Sequence, residues 1–495
     1  MPKIIPQIIT EMKGAYDAST LAFYAGIDHV AQNNPVIARA ILQEFVDQTH
    51  HLKLIASENY SSLAVQYAMG NLLTDKYAEG FPHHRFYAGC ENIDVIESEA
   101  ARLACELFAA DHAFVQPHSG ADANLVAFLA ILSHKVQKPL VDVMEEKNLT
   151  KMARADWNKI REKFMNQKLL ALDYYSGGHL THGYRYNFSG TLFDAYYYAV
   201  DKETNLIDMD QLRTQLHEVK PLILLAGYSA YPRKINFAKM RELADEVGAV
   251  LMVDMAHFAG LVAGGVFTGE YNPIPYAHVV TSTTHKTLRG PRGGIVLCQQ
   301  EFAEAVDKAC PIVLGGPLPH VMAAKAVAFK EALSDSFKKY AHAIVKNSQA
   351  FAQAFQDLGM KILTNGTDNH LMLLDVSPLG LTGRQAESAL RECDITMNRN
   401  ALPFDVNGPW YTSGLRIGTP AITTRGMGVA EVKEIAAIIV DVLKNTKPTA
   451  DSRAKYDLPT DVKTRAIERV RRITRQYPIY PNLKIETVEG FLKQI

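Results

Sequence analysis

No apolar run in these 495 residues reaches the eighteen or so needed to cross a bilayer, so nothing in the chain reads as a transmembrane helix. Cysteine is scarce: five residues, at 90, 105, 298, 310 and 393, odd in number and without a CxxC pair. That excludes a disulfide framework and a zinc knuckle, and points to reduced thiols in a cytosol. An excess of one charge is missing as well. Lysine and arginine total 52 against 53 acidic residues, a net charge of −1, which excludes a generally basic nucleic-acid binder but not a local basic pocket. The opening MPKIIPQIITEMKGAYD has a short apolar stretch broken by Pro6 and Glu11, and lacks the apolar region and cleavage site of a secretory signal. These absences read as a soluble cytoplasmic protein with neither membrane nor nucleic acid among its partners.

What is present is core-forming material. With 47% hydrophobic residues, the length suffices for two or three folded units around a deep pocket. Residues 1–50 carry apolar residues at helical spacing and read as an arm that packs on something else. From 51 to about 330 the pattern is α/β. Helical stretches such as 94–109 and 237–248 alternate with short apolar runs at 113–115, 221–226, 250–253, 279–281 and 295–297, which predict buried strands of a largely parallel sheet. Residues 135–168 are charged and read as a solvated helical insertion. A long helix is predicted from Met322 through Gly359. A smaller α+β domain over 331–495 ends in a Pro-punctuated tail.

Three elements carry chemistry. VVTSTTHKTLRGPRGG (279–294) places Lys286 after a β-branched run, where an interior amine is costly unless paired or used covalently, as in a Schiff base with a carbonyl cofactor. In GAVLMVDMAHFAGL, Asp254 ends an apolar strand, where it could keep a pyridine nitrogen protonated or simply cap a helix. In FVQPHSGADAN (114–124), Ser119 and Gly120 open an apolar helix whose free N–H groups suit a phosphate, or need only an ordinary cap. Singly each is weak. Together they stand in the chain order of a large class of pyridoxal-phosphate enzymes.

The sequence resembles the serine hydroxymethyltransferase family from about residue 45 to 480. The resemblance is carried by LIASENY (54–60), KYAEGFP (76–82), QPHSG (116–120), GGHLTHG (177–183), NFSG (187–190), VDMAH (253–257), THKTL-GPRGG (284–294), GGPL (315–318), GTDNHL (366–371) and TSGLRIGTPA (412–421). It implies the type I pyridoxal-phosphate transferase fold and a homodimer with a shared active site. The implied activity is reversible transfer of a hydroxymethyl unit from serine to tetrahydrofolate, giving glycine, with no metal. By the same resemblance, Lys286 would hold pyridoxal phosphate covalently, Asp254 would pair with its ring nitrogen, and His179 would lie on its face. Ser119, Gly120 and Ala121 would bind the phosphate, with Tyr77 and Gly316 reaching it from the partner subunit. Ser229 and His257 would approach the phenolic oxygen. Arg416 would fork onto the substrate carboxylate. Ser57 and Tyr87 would assist there, and Glu79 would act as acid–base at the serine hydroxyl. Thr283 and His285 would tune which substrate adducts are accepted, and Arg292 would help position the substrate. Tyr174, Gly178, His179, Leu180, Asn400, Gly408, Pro409 and Trp410 would contact folate.

Several positions depart from the family pattern. Ala121-Asp122 stands where a hydroxyl and an uncharged amide are usual, and an acid there should weaken phosphate binding. Ile312-Val313-Leu314 replaces a glycine-rich loop. Arg289 replaces a small residue, and Tyr174, Phe86 and Trp410 replace a leucine, a tyrosine and a phenylalanine. The changes leave the amino-acid chemistry intact and bear on folate. Two other classes remain open: a folate-independent pyridoxal-phosphate enzyme (a β-hydroxy-amino-acid aldolase or alanine racemase), and a silent regulatory or RNA-binding relative. Glu79, Leu180 and Asn400 speak against the first; intact Lys286, Asp254 and Arg416 speak against the second.

Overall fold

A computed structural model describes residues 17–449 and 452–494; the opening segment read above for a secretory signal lies outside them, apart from Asp17. Its centre is a seven-stranded sheet of β1 (His112–Phe114), β2 (Lys168–Leu172), β3 (Asp194–Tyr198), β4 (Ile223–Gly227), β5 (Val250–Asp254), β6 (Val279–Thr283) and β7 (Gly294–Cys298). The strand order is β1-β7-β6-β5-β4-β2-β3. All neighbouring pairs are parallel except those of β7, which runs antiparallel to both β6 and β1. Alternate residues feed two cores. Leu251 and Val253 of β5 join the core on one face, while Val250 and Met252 join the core on the other. Burial of both faces is what produces the uninterrupted apolar runs in the sequence.

A second, four-stranded antiparallel sheet holds β8 (Lys361–Ile362), β9 (Leu371–Asp375), β10 (Asn398–Asn400) and β11 (Gly414–Gly418) in the order β8-β9-β11-β10, over its own apolar core. The helix expected from 322 to 359 is two helices, Pro319–Ala332 and Asp335–Asp357. The break falls at Ser334, whose hydroxyl accepts the Phe337 N–H and starts the second helix as an N-cap. The charged stretch 135–168 holds a helix at Arg154–Met165, but Lys168 belongs to the sheet as the first residue of β2.

The arm is helical over Ala18–Asn33 and Pro35–His50, with Asn34 ending the first helix and accepting the Ile37 N–H to cap the second. Its partner is the tail. Tyr24, Ile27, Leu42 and Phe45 share a core with Leu483, Val488 and Phe491, the last two on the helix Ile485–Leu492. No described helix is long and apolar enough to cross a membrane.

Parallel strands aim their carboxyl ends at one edge, and ligands gather at such edges. Here β5 ends on Asp254, β6 leads into Lys286, β4 into Ser229 and β2 into the loop bearing His179. Gly227 makes room for this edge. It sits at φ +119°, and a Cβ there would fall 2.1 Å from the Asp254 carbonyl oxygen.

Candidate active site

Lys286 is 9% exposed, and among the described residues its ammonium has neither an ion pair nor a hydrogen-bond acceptor. Its backbone carbonyl is pinned by Asn59 Nδ2 at 2.8 Å. Burial pushes the amine down to about 8, against the opposing pull of Asp254, with Arg416 and Arg292 adding to the depression. A buried amine brought this close to neutrality is a nucleophile for a carbonyl group.

Asp254 is the counterpart. Its Oδ2 accepts from Asn124 Nδ2 at 2.9 Å and His182 Nε2 at 3.1 Å, and its Oδ1 accepts the Ala256 N–H at 3.0 Å. Burial alone would raise this carboxyl. The His182 hydrogen bond and the nearby positive groups outweigh it and hold Asp254 below the usual carboxylate range. His182 Nδ1 accepts the His179 N–H at 3.3 Å, so Nε2 carries the proton given to Asp254. His179, His182 and Asp254 each bring one donor atom within 4.8 Å of the others. His179 is driven down to about 4 by burial, with His182 adding to the effect, and its Nδ1 accepts the Thr181 N–H. It therefore offers a neutral ring.

Ser119 caps the helix Gly120–Leu132 by accepting the Asp122 N–H at 3.1 Å, which leaves the first-turn amides of Gly120 and Ala121 available to an anion. Thr283 Oγ1 donates to the Ala256 carbonyl at 3.2 Å. His257 meets His370 through Nδ1···Nε2 at 3.1 Å; burial first, and Lys286 next, keep His257 well below its ordinary range. Burial likewise sends His285 to about 3, with its Nδ1 enclosed and unpartnered among the described residues. A carbonyl-seeking amine, an ionised carboxylate at a strand end and an anion-ready helix start thus share one edge, and the set fits a ligand with an aldehyde, a protonated ring nitrogen and a phosphate.

Arg416 stands on β11. Its Nε donates to Asn398 Oδ1 at 3.0 Å and its Nη1 to the Ser229 carbonyl at 2.7 Å, which ties the small sheet to the edge of the large one. Burial lowers it to about 10, so it stays charged at neutral pH. A cavity of about 250 Å³ opens beside it, lined among others by Tyr174, Gly178, His179, Leu180, Asn400 and Pro409. Gly408 and Trp410, expected with these, do not line it; Trp410 is 71% exposed, although it shares the short helix Gly408–Tyr411 with Pro409. Ser229 enters through its carbonyl. Ser57 follows Ala56, whose backbone packs against Gly418, two residues past Arg416.

Tyr77, Glu79, Tyr87 and Gly316 form a separate group. Tyr77 Oη donates to Glu79 at 3.4 Å, the Tyr77 and Tyr87 rings meet edge-on at 4.8 Å, and Gly316 packs on the Tyr77 ring. Among the described residues, none of the four hydrogen-bonds to Lys286 of its own chain. Ile312, Val313 and Leu314 form a π-turn rather than an open loop, ahead of Gly315 at φ +66°. Arg289 adopts φ +62° and lays its guanidinium over the Tyr340 ring at 4.7 Å, a contact that offsets the strain of the left-handed backbone.

Three residues that hold the site were not singled out from the sequence: Asn124, His182 and His370. Asn124 is the hub, since its Nδ2 serves both Asp254 and Thr181 while its Oδ1 accepts from Thr281 at 2.6 Å. Asn124→Ala strips one donor from a buried carboxylate and leaves the Thr281 hydroxyl without its acceptor, while Thr181 keeps His179 Nδ1 at 2.7 Å. It should cost about 2–4 kcal/mol of stability, read as a lower urea midpoint at unchanged m-value.

Comparison with known proteins bears on this arrangement. A profile of the family described as serine hydroxymethyltransferase matches residues 30–163 and 162–439. The serine hydroxymethyltransferase of Treponema pallidum (strain Nichols) is 60% identical over 468 residues, which cover 94% of this chain and 82% of that protein. That of Mycolicibacterium smegmatis is 53% identical over 469 residues, 95% of this chain and 96% of its own. That of Chlamydia trachomatis serovar D is 49% identical over 482 residues, 96% and 97% of the two chains.

Proposed function

The chain belongs to the serine hydroxymethyltransferase family, and from that premise we propose how its own residues carry out hydroxymethyl transfer from serine to tetrahydrofolate. The observation that carries the reading is the meeting of Lys286, Asp254 and Arg416 at one strand edge beside a 250 Å³ cavity. Pyridoxal phosphate, when bound, supplies an electron sink for the charge left at Cα as the Cα–Cβ bond breaks.

Lys286 provides the amine that secures the aldehyde. Asp254, kept ionised by Asn124 and His182, holds a proton on the ring nitrogen. Neutral His179 covers the ring face without adding charge. Ser119, Gly120 and Ala121 bind the phosphate through the hydroxyl and the helix-start amides, and His257 and Ser229 border the phenolic side. Arg416 grips the serine carboxylate and fixes which bond of the substrate is presented for cleavage, with Ser57 and Tyr87 assisting. Thr283 and His285, beside the lysine, set which amino acids are accepted. Glu79 moves the proton at the serine hydroxymethyl oxygen. Tyr174, Gly178, Leu180, Asn400 and Pro409 form the wall where tetrahydrofolate receives the one-carbon unit, and Gly408 and Trp410 lie at its outer rim. We place the enzyme in the cytoplasm.

The reading predicts a visible absorbance band in the purified protein, and serine cleavage that accelerates when tetrahydrofolate is added. A band without folate acceleration would move the assignment to a folate-independent aldolase. No band would sink it.

A homodimer belongs to the same proposal. Tyr77, Phe86 and Tyr87 are 52%, 69% and 49% exposed, an aromatic surface that supports cover by a second copy. Tyr77 and Gly316 would then complete the partner's phosphate site. Sedimentation equilibrium should give twice the chain mass; a fully active monomer would refute the shared site.

A further inference from the structure

Lys325 lies in the helix Pro319–Ala332, is 1% exposed and faces no carboxylate partner within ion-pair distance among the described residues. Its ammonium spends its three hydrogens on main-chain carbonyls: Val115 at 2.5 Å, Pro117 at 2.9 Å and Gly294 at 2.8 Å. Val115 and Pro117 lead directly into Ser119. Gly294 abuts the same turn from behind, where a Cβ would fall 2.2 Å from the Ser119 carbonyl oxygen. Taking a lone ammonium out of water is expensive, and an apolar side chain would fill the space at less cost. Nor are all three carbonyls dependent on it, since Pro117 also accepts the Gly294 N–H at 2.9 Å. What only a lysine adds here is positive charge.

We propose that Lys325 is a positioning residue for the cofactor phosphate, tying the β1 exit to the start of β7 and laying a buried cation beneath the Ser119–Gly120–Ala121 turn. The proposal rests on the pyridoxal-phosphate reading above. Three titratable groups face the ammonium from the surrounding elements: Glu97, Asp122 and His118. Burial lowers Lys325 to about 7, opposed by Glu97 and Asp122, so a bound phosphate dianion would favour its charged form. Asp122 is the acid that departs from the family pattern in the phosphate helix. The cation behind the turn offsets the repulsion that this acid would otherwise exert on the ligand.

The test compares a phosphorylated with an unphosphorylated probe. Apoprotein of the wild type, Lys325→Met and Lys325→Gln is titrated with pyridoxal 5'-phosphate and with pyridoxal, following the visible band. In both variants the preference for the phosphorylated probe, taken as the ratio of the two Kd values, should fall about tenfold or more, the scale of a lost charge-assisted contact. The Kd for pyridoxal should change less than about threefold. A merely structural role would weaken both probes alike, and an unmoved ratio would overturn the proposal. Gly293→Ala provides a second route should both variants fail to fold, because its Cβ would lie 2.6 Å from Lys325 Cε and displace the side chain. Its ratio should fall in the same direction, and no change would again overturn the assignment. A wild type that binds neither probe would defeat the cofactor reading itself, whereas binding with an unmoved ratio would defeat only the role of Lys325.

Discussion

Lys286→Ala is expected to leave a folded protein that has lost at least about three powers of ten in serine-to-glycine turnover. With the amine near 8, about a quarter of Lys286 is neutral at pH 7.5, against roughly one part in a thousand for an ordinary lysine at 10.5. No neighbouring lysine can stand in, because Lys325, the other strongly depressed amine, is sealed under three carbonyls. Borohydride reduction of the wild type followed by peptide mapping should place the label on Lys286. Label on another lysine would overturn the assignment.

The same substitution has a stability signature whose sign follows from the depressed amine. In the cofactor-free protein, where Lys286 is a free amine, the unfolded chain holds a proton on this lysine between pH about 8 and 10.5 that the folded chain does not, so stability rises with pH across that window. Below about 8 both states are protonated and the folded one bears the cost of a buried charge. Lys286→Ala removes both the cost and the rise. Its thermal midpoint at neutral pH should stay within about 4 °C of the cofactor-free wild type, and a plot of stability against pH should be flatter above 8. A variant that melts far lower would show that the lysine is part of the packing.

How much of this was legible beforehand differs from element to element. Strands buried on both faces, such as Val250–Asp254, announce themselves as apolar runs, and the chemistry at their ends follows from the fold rule that ligands sit there. Lys168–Leu172 was hidden because it begins with a lysine that closes a charged helical stretch. Asp194–Tyr198 was hidden because it is an edge strand, half-exposed and aromatic rather than aliphatic. The division of the long helix was written in Ser334-Asp335-Ser336, a cap signal that helical periodicity on either side overrode. Asn124 and His182 could not be chosen from the chain alone. Their importance comes from meeting Asp254 across 130 and 72 residues, and a polar residue inside a motif does not say which buried group it serves. The purpose of the tail emerged only in contact with the arm, since neither buries its apolar face alone.

Arg416→Ala should weaken serine binding by about two to four powers of ten, and Arg416→Lys by less, while both leave cofactor occupancy nearly unchanged. The guanidinium is oriented before any substrate arrives. Asn398 holds Nε and the Ser229 carbonyl holds Nη1, so the plane is locked and the remaining Nη donors, unclaimed by any described residue, face the cavity. Two parallel charge-assisted bonds to a carboxylate contribute about 1.5–3 kcal/mol each, and their loss should cost roughly 3–5 kcal/mol after incomplete additivity. Lysine keeps the charge but offers a point rather than a fork, and it leaves Asn398 Oδ1 and the Ser229 carbonyl without their present donor. It should therefore recover only part of what Arg416→Ala loses. The defect should lie in the KM for serine and its competitive analogues more than in the pyridoxal spectrum, because Arg416 is held by the small sheet and the phosphate turn by the large one. A variant that bound serine normally while its visible band collapsed would make Arg416 a support of the cofactor, and the substrate would have to lie elsewhere along the strand edge.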